Sequence, residues 1–177
     1  MSALVVYESM FGNTQSIAKG IGDGLSSRMT VEIVEVGEAP SVIDPDVELL
    51  VVGGPTHAFG MSRPGTRQNA AQQAGHDLVS KGIGLREWLA IVQGGSKGVA
   101  AAAFDTRINK PRVPGSAARA EQKRLSRLGF HIVAPAESFW VTGTPGPLLA
   151  GESERARRWG EKLESILTTT EHDDKVS

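Results

Sequence analysis

Apolar positions fall along this chain in two rhythms. Ala3–Tyr7 (ALVVY) and Asp46–Val52 (DVELLVV) are short, nearly unbroken runs, and Val31–Val36 (VEIVEV) is a β-branched one. Runs of this length read as strands, and near-continuous ones suit a sheet covered on both faces. Between the first two, Ile17, Ala18, Ile21 and Leu25 recur at helical spacing. Asn13 or Thr14 would cap that helix, which should end near Ser27–Arg28. Its glycines, Gly20, Gly22 and Gly24, each cost about 1 kcal/mol against alanine, so tertiary packing must hold it. Strand, helix and strand at this spacing form a βαβ unit with parallel strands.

The later chain continues the alternation. The third run closes with Gly53-Gly54-Pro55, and a long loop, Gly54–Thr66, precedes helical segments at Arg67–Ser80 and Leu85–Val92. Val99–Phe104 (VAAAAF) reads as a strand that stops at Asp105-Thr106-Arg107. Ser116–Leu128 is a helix with a glycine stop at Gly129. His131–Val133 and Ser138–Val141 are two parts of an interrupted last strand. In the closing helix, Glu152–Leu167, Ala156, Trp159, Leu163 and Ile166 form the apolar stripe, and Glu152 and Glu154 suit its positive end. A polar, disordered tail is expected from Thr168, outside a single domain over 1–167. The sum is a doubly wound α/β domain of five strands.

Composition narrows the chemistry. In 177 residues there is no cysteine, which excludes disulfides, thiolate metal sites and a cysteine nucleophile. Lysine plus arginine (19) nearly balance aspartate plus glutamate (20), so nothing in the net charge suggests nucleic acid or a membrane surface. No apolar run approaches the roughly 20 residues that span a bilayer, and no signal region precedes the first strand. A cytoplasmic protein without membrane insertion is expected. The four histidines are scattered, so no metal site is expected. No GxSxG elbow or glycosidase-type carboxylate pair appears.

In an open parallel sheet, ligands bind beyond the carboxyl ends of the strands. Here those ends are Glu8–Thr14, Gly53–Thr66 and Asp105–Gly115, the segments richest in glycine, proline and hydroxyls. A phosphate in the first would meet helix N-terminal amides, with Ser9 and Thr14 as hydroxyl donors and Gly12 permitting close approach. The loop is neither GxGxxG nor GxxxxGK[ST], which favours a phosphomonoester over a dinucleotide or triphosphate. Plain helix capping explains the same residues, and the two readings stay open on chemistry alone.

Val5–Ile21 (VVYESMFGNTQSIAKGI) resembles the phosphate-binding signature of the flavodoxin family, and GGPTHAFG (53–60) is similar to that family's second flavin loop. The resemblance spans roughly Leu4 to Leu167. It implies a three-layer αβα sandwich on a five-stranded parallel sheet of order 2-1-3-4-5, with FMN held by the three loops. Ser9, Met10, Phe11, Gly12, Asn13 and Thr14 would then surround the phosphate. Pro55, Thr56, His57, Phe59 and Gly60 would line one side of the flavin ring, and Phe104, Asp105, Thr106 and Arg107 the other. Phe59-Gly60 would be the peptide that responds to reduction, since glycine tolerates either φ sign. No residue is expected to act as acid, base or nucleophile.

The chain also departs from that pattern. It is near neutral where electron-shuttle flavodoxins are acidic, its one tyrosine is Tyr7 rather than a stacking residue in the third loop, and Phe11 replaces a hydroxyl. Three readings follow: an FMN-binding electron-transfer protein serving a redox partner protein or small-molecule acceptor; an FMN-dependent NAD(P)H:quinone-type reductase; and a binding or regulatory module that has lost flavin. Arg63, Arg67, Lys110 and Arg112 would attract an anionic substrate or NADPH, or be plain loop charges, with the latter favoured. Trp88, Trp140 and Trp159 read as core, and Arg119–Arg127 (RAEQKRLSR) as the solvated face of a helix.

Overall fold

The computed structural model describes residues 1–75, 78–94, 98–110 and 114–174. Arg112, His76 and the middle of the Asn109–Gly115 segment lie outside them. Six strands, β1 (Ser2–Tyr7), β2 (Thr30–Glu35), β3 (Val47–Pro55), β4 (Ala100–Ile108), β5 (His131–Ile132) and β6 (Glu137–Val141), form one parallel sheet. The order is β2-β1-β3-β4-β5, with β6 also paired to β4. The two short strands run in line along one edge of β4, Ala100 opposite His131 and Phe104 opposite Glu137. They are the two parts of the interrupted fifth strand.

Alternate side chains of each strand feed two cores. Ala3, Val5, Leu49, Val51, Ala102 and Phe104 pack under α1 (Asn13–Leu25) and α5 (Glu152–Asp174). Leu4, Val6, Leu50, Val52, Ala101 and Ala103 pack under α3 (Leu85–Ile91) and α4 (Ala117–Arg127). The alanines of β4 leave room for large neighbours. On one face Phe104, Phe139 and Trp159 meet edge to face, with centroids 6.1–6.4 Å apart, the favoured geometry for aromatic pairs.

The helix α1 keeps its glycines for packing. A Cβ on Gly24 would collide with the Arg157 carbonyl oxygen, and one on Gly160 with that of Ile21. The backbones of α1 and α5 therefore lie directly against each other, which is how a helix with three glycines is held.

Several expectations are corrected. The N-cap of α1 is Gly12, at φ 91° and with no side-chain cap, rather than Asn13 or Thr14, which sit inside the first turn. Strand β4 runs past Phe104 to Ile108, because Asp105 and Thr106 pair with Gly54 and Pro55 on one side and Ser138 and Phe139 on the other. The helix after the second loop, α2, is Pro64–Ala74, earlier than expected, with Pro64 opening it. Helix α5 continues beyond Leu167 to Asp174. Trp88 and Trp159 are core, but Trp140 is half-buried beneath the Arg107 guanidinium, 5.6 Å from its ring centroid.

Candidate functional site

At the carboxyl ends of β1, β3 and β4 the chain leaves a cleft. Its deep part is lined by Ser9, Met10, Phe11, Asn13, Thr14, Pro55, Thr56, His57, Thr106, Arg107, Ile108, Val141 and Thr144. A wider part of about 300 Å³ continues past His57, Ala58 and Phe59 to Thr66, Asn69, Ala70 and Gln73 of α2. Among the described residues no carboxylate lines either part, and Arg107 is the charged side chain they share.

The first loop is held from three sides. The Thr14 and Thr106 hydroxyls are 2.7 Å apart, tying α1 to β4. The Asn13 amide donates to the Pro145 carbonyl at 3.1 Å. Across the loop lies the segment that follows α2: Val79 and Ser80 donate their amides to the carbonyls of Met10 (3.1 Å) and Ser9 (2.8 Å). The Ser80 hydroxyl accepts the Ser9 amide at 2.9 Å, and the Ser9 hydroxyl accepts that of Gly12 at 3.1 Å. The amides of the first turn of α1 point along the helix axis without a side-chain cap, and the positive end of the helix dipole adds to their pull on an anion.

The second loop is a tight turn closed by reciprocal His57–Gly60 backbone bonds of 2.8 and 3.1 Å. Ala58 (φ 43°) and Phe59 (φ 74°) both lie in the left-handed region, which costs non-glycine residues free energy. Gly60, whose tolerance of either φ sign marked the Phe59-Gly60 peptide, is not among the positive-φ residues, and the strain falls on the two residues before it. Phe59 is 60% exposed. Burial, and then the Arg67 charge, lower the pKa of His57 below the ordinary histidine value, so its imidazole is neutral at pH 7.

Behind the loops, away from the cleft, three carboxylates are buried. Glu8 accepts from the Ser62 hydroxyl and from the Leu85 amide at 2.8 Å. Asp105 accepts from the hydroxyls of Thr56 (2.9 Å) and Ser116 (2.6 Å) and from the Ala118 amide at 3.1 Å. It bonds the second loop to the start of α4. Glu121 is wholly buried and neither of its oxygens has a hydrogen-bond partner. Burial first, then the charges of Asp105 and Glu8, lift its pKa well above the carboxylate range. Burial also raises Glu8, against the lowering pull of Ser62, Leu85 and Arg67.

No family model and no curated protein matches this sequence. Solved structures do match. An archaeal flavodoxin superposes with a TM-score of 0.65 at 20% identity, over 95% of this chain and 99% of its own. Oxidised flavodoxin 1 from Bacillus cereus gives 0.63 at 16% identity, over 90% and 95%. A flavodiiron core from Synechocystis sp. gives 0.61 at 15% identity, over 96% of this chain and 36% of that one. The chain has a flavodoxin-like fold.

On this flavodoxin-like scaffold the expected residues fall into two groups. Ser9, Met10, Phe11, Asn13, Thr14, Pro55, Thr56, His57, Thr106 and Arg107 line the deep cleft, and Phe59 the wider part. Gly12 and Gly60 shape its loops through their backbones. Phe104 and Asp105 do not reach it: Phe104 is buried in the aromatic cluster and Asp105 faces the N-terminus of α4. Because β4 runs on to Ile108, the side chains that arrive at the cleft are those of Thr106, Arg107 and Ile108.

Sequence reasoning missed Thr144 and Val141, Ile108, the α2 residues Thr66, Asn69 and Gln73, and the Ser80 strap. Thr144 follows the last strand at the same sheet end as the other loops, so topology gives a signal for it. Thr66 and Ile108 fall inside the strand-end segments Gly53–Thr66 and Asp105–Gly115, whereas Asn69 and Gln73 have no signal, since α2 has no apolar stripe to predict its facing.

Proposed function

We propose that this flavodoxin-like chain binds FMN non-covalently in the cleft and exchanges electrons with a redox partner. The observation that carries the reading is the uncapped α1 N-terminus, opening onto a cleft lined by hydroxyls and Asn13 and, among the described residues, by no carboxylate. Such a terminus suits a phosphomonoester dianion without needing lysine or arginine. Because Ser80 and Ser9 already accept the amides of Ser9 and Gly12, the phosphate would be held by the first-turn amides and by Thr14. Pro55, Thr56, His57 and Phe59 would flank the ring on one side, and Thr106 and Arg107 on the other. His57 would offer it a neutral hydrogen-bonding group. The flavin, when bound, supplies the one- and two-electron chemistry.

The test is the visible spectrum of gently purified protein, before and after incubation with FMN and removal of the excess, with thermal melts in FMN, FAD and riboflavin. Retained flavin colour is expected, with FMN stabilising more than riboflavin. A ligand at a hundredfold excess over its Kd adds about 2.7 kcal/mol. A colourless protein whose melt ignores all three overturns the proposal. The wider cleft beside Thr66, Asn69 and Gln73 favours a second reading, a reductase that passes electrons to a small acceptor. Quinone-dependent oxidation of NAD(P)H without an added reductase would distinguish it from a shuttle.

A further inference from the structure

Helix α4 carries Arg119, Lys123, Arg124 and Arg127 and a single acid, Glu121. In sequence that acid offsets one of the four cations and the chain as a whole is near neutral, so the helix reads as an ordinary solvated face. In the fold Glu121 points inward, wholly buried, with its pKa raised by burial. The outer face of α4 is therefore uncompensated. Arg119, Lys123 and Arg127 recur every four residues and form a row about 12 Å long at 1.5 Å per residue.

A groove of about 410 Å³ runs between this row and α3. Its lining is Met61, Arg86, Ala90, Ala120, Lys123, Arg124 and Arg127, with no acid among them. Two arginines are fixed in place: Arg86 donates to the carbonyls of Ser62 and Met61 (both 3.1 Å), and Arg124 to that of Leu89 (3.2 Å). Among the described residues none of Arg86, Arg119, Lys123, Arg124 and Arg127 forms an ion pair, whereas Arg155, Arg157 and Arg158 of α5 are all paired with glutamates. The chain as a whole has a net charge of −1. This local excess is therefore a feature of one face.

We propose that the α3–α4 face docks an acidic protein surface, that of the partner with which the cleft exchanges electrons. The inference rests on the redox reading above. A row this long, flanked by fixed guanidinium forks over a floor of methionine and alanine, matches spaced carboxylates on a protein better than a single phosphate. Met61 belongs to the groove and lies two residues from exposed Phe59 at the rim of the cleft. A partner seated on α3 and α4 thus abuts the loop that walls the site.

The experiment measures binding of an acidic [2Fe–2S] ferredoxin to the chain, with and without FMN, with basic cytochrome c and a double-stranded DNA as competing probes. It begins at low ionic strength, where exposed charges interact over about 30 Å. K123E/R127E reverses two exposed cations of the row. K19E/K162E makes the same charge change on the α1–α5 side. Ferredoxin affinity is expected to fall roughly tenfold or more in K123E/R127E, and with added salt, while K19E/K162E stays close to wild type. FMN retention and melting temperature should be unchanged in both.

Equal losses in the two variants, absence of ferredoxin binding at low salt, or tighter binding of the DNA or cytochrome c overturns the proposal. Because docking is also read on the flavin-free chain, failure to retain FMN sinks the cofactor reading separately.

Discussion

Thr14 shows how one side chain joins elements distant in sequence. Its hydroxyl meets that of Thr106 in a buried contact of 2.7 Å, fixing the start of α1 against the end of β4 at the mouth of the cleft. Thr14→Val would remove one partner and leave Thr106 buried and unpaired, a loss of about 1–3 kcal/mol, read as a lower urea midpoint with an unchanged slope. The place of the first loop at the cleft was legible, since hydroxyls, an amide and a glycine cluster at a strand-to-helix junction. Asp105 was not. Its neighbours suggested a place beside a flavin, yet one oxygen gathers bonds from Thr56, Ser116 and Ala118. Which way a side chain leaves a strand depends on where the strand ends, and β4 ends at Ile108.

Elements were read correctly where hydrophobic period and length agreed, as in β1 and α4. They were misplaced where tertiary pairing decided. The β4 extension is held by neighbours on both sides, and α2 is positioned by Pro64 rather than by an apolar stripe. Helix α1 puts propensity and packing in direct opposition. Gly24→Ala would gain about 1 kcal/mol of helix propensity. Its methyl, however, would strike the Arg157 carbonyl oxygen, a backbone atom that cannot rotate away, and overpacking costs about 1–3 kcal/mol. We expect G24A to be net destabilising, with a lower melting temperature, whereas alanine at a freely solvated helix glycine would raise it.

At the scale of the whole molecule, the half that carries α3 and α4 sorts its charge by depth. The acids Glu8, Asp105 and Glu121 are buried behind the cleft while cations crowd the outer face of α4. Glu121 and Glu8 have folded pKa values raised by burial, so the folded state holds their protons more tightly than the unfolded chain. Their linkage favours folding below the ordinary glutamate range and is lost as pH rises through the folded values. Glu121→Gln keeps the shape without the charge. It should melt higher than wild type on the alkaline side and nearly alike at low pH, and melting temperature against pH checks this. The three-layer fold was legible from the order of strands and helices. This sorting by depth was not, because sequence alone does not say which face of α4 the sheet covers. The backbone contact between α1 and α5 bears, finally, on how the protein is made. The loop proposed to grip phosphate is mounted on α1, yet the surface that braces α1 is synthesised more than a hundred residues later. A nascent chain on the ribosome that has not yet released residues 152–163 carries that loop on a helix lacking its α5 brace, so the proposed FMN capture would follow the release of α5.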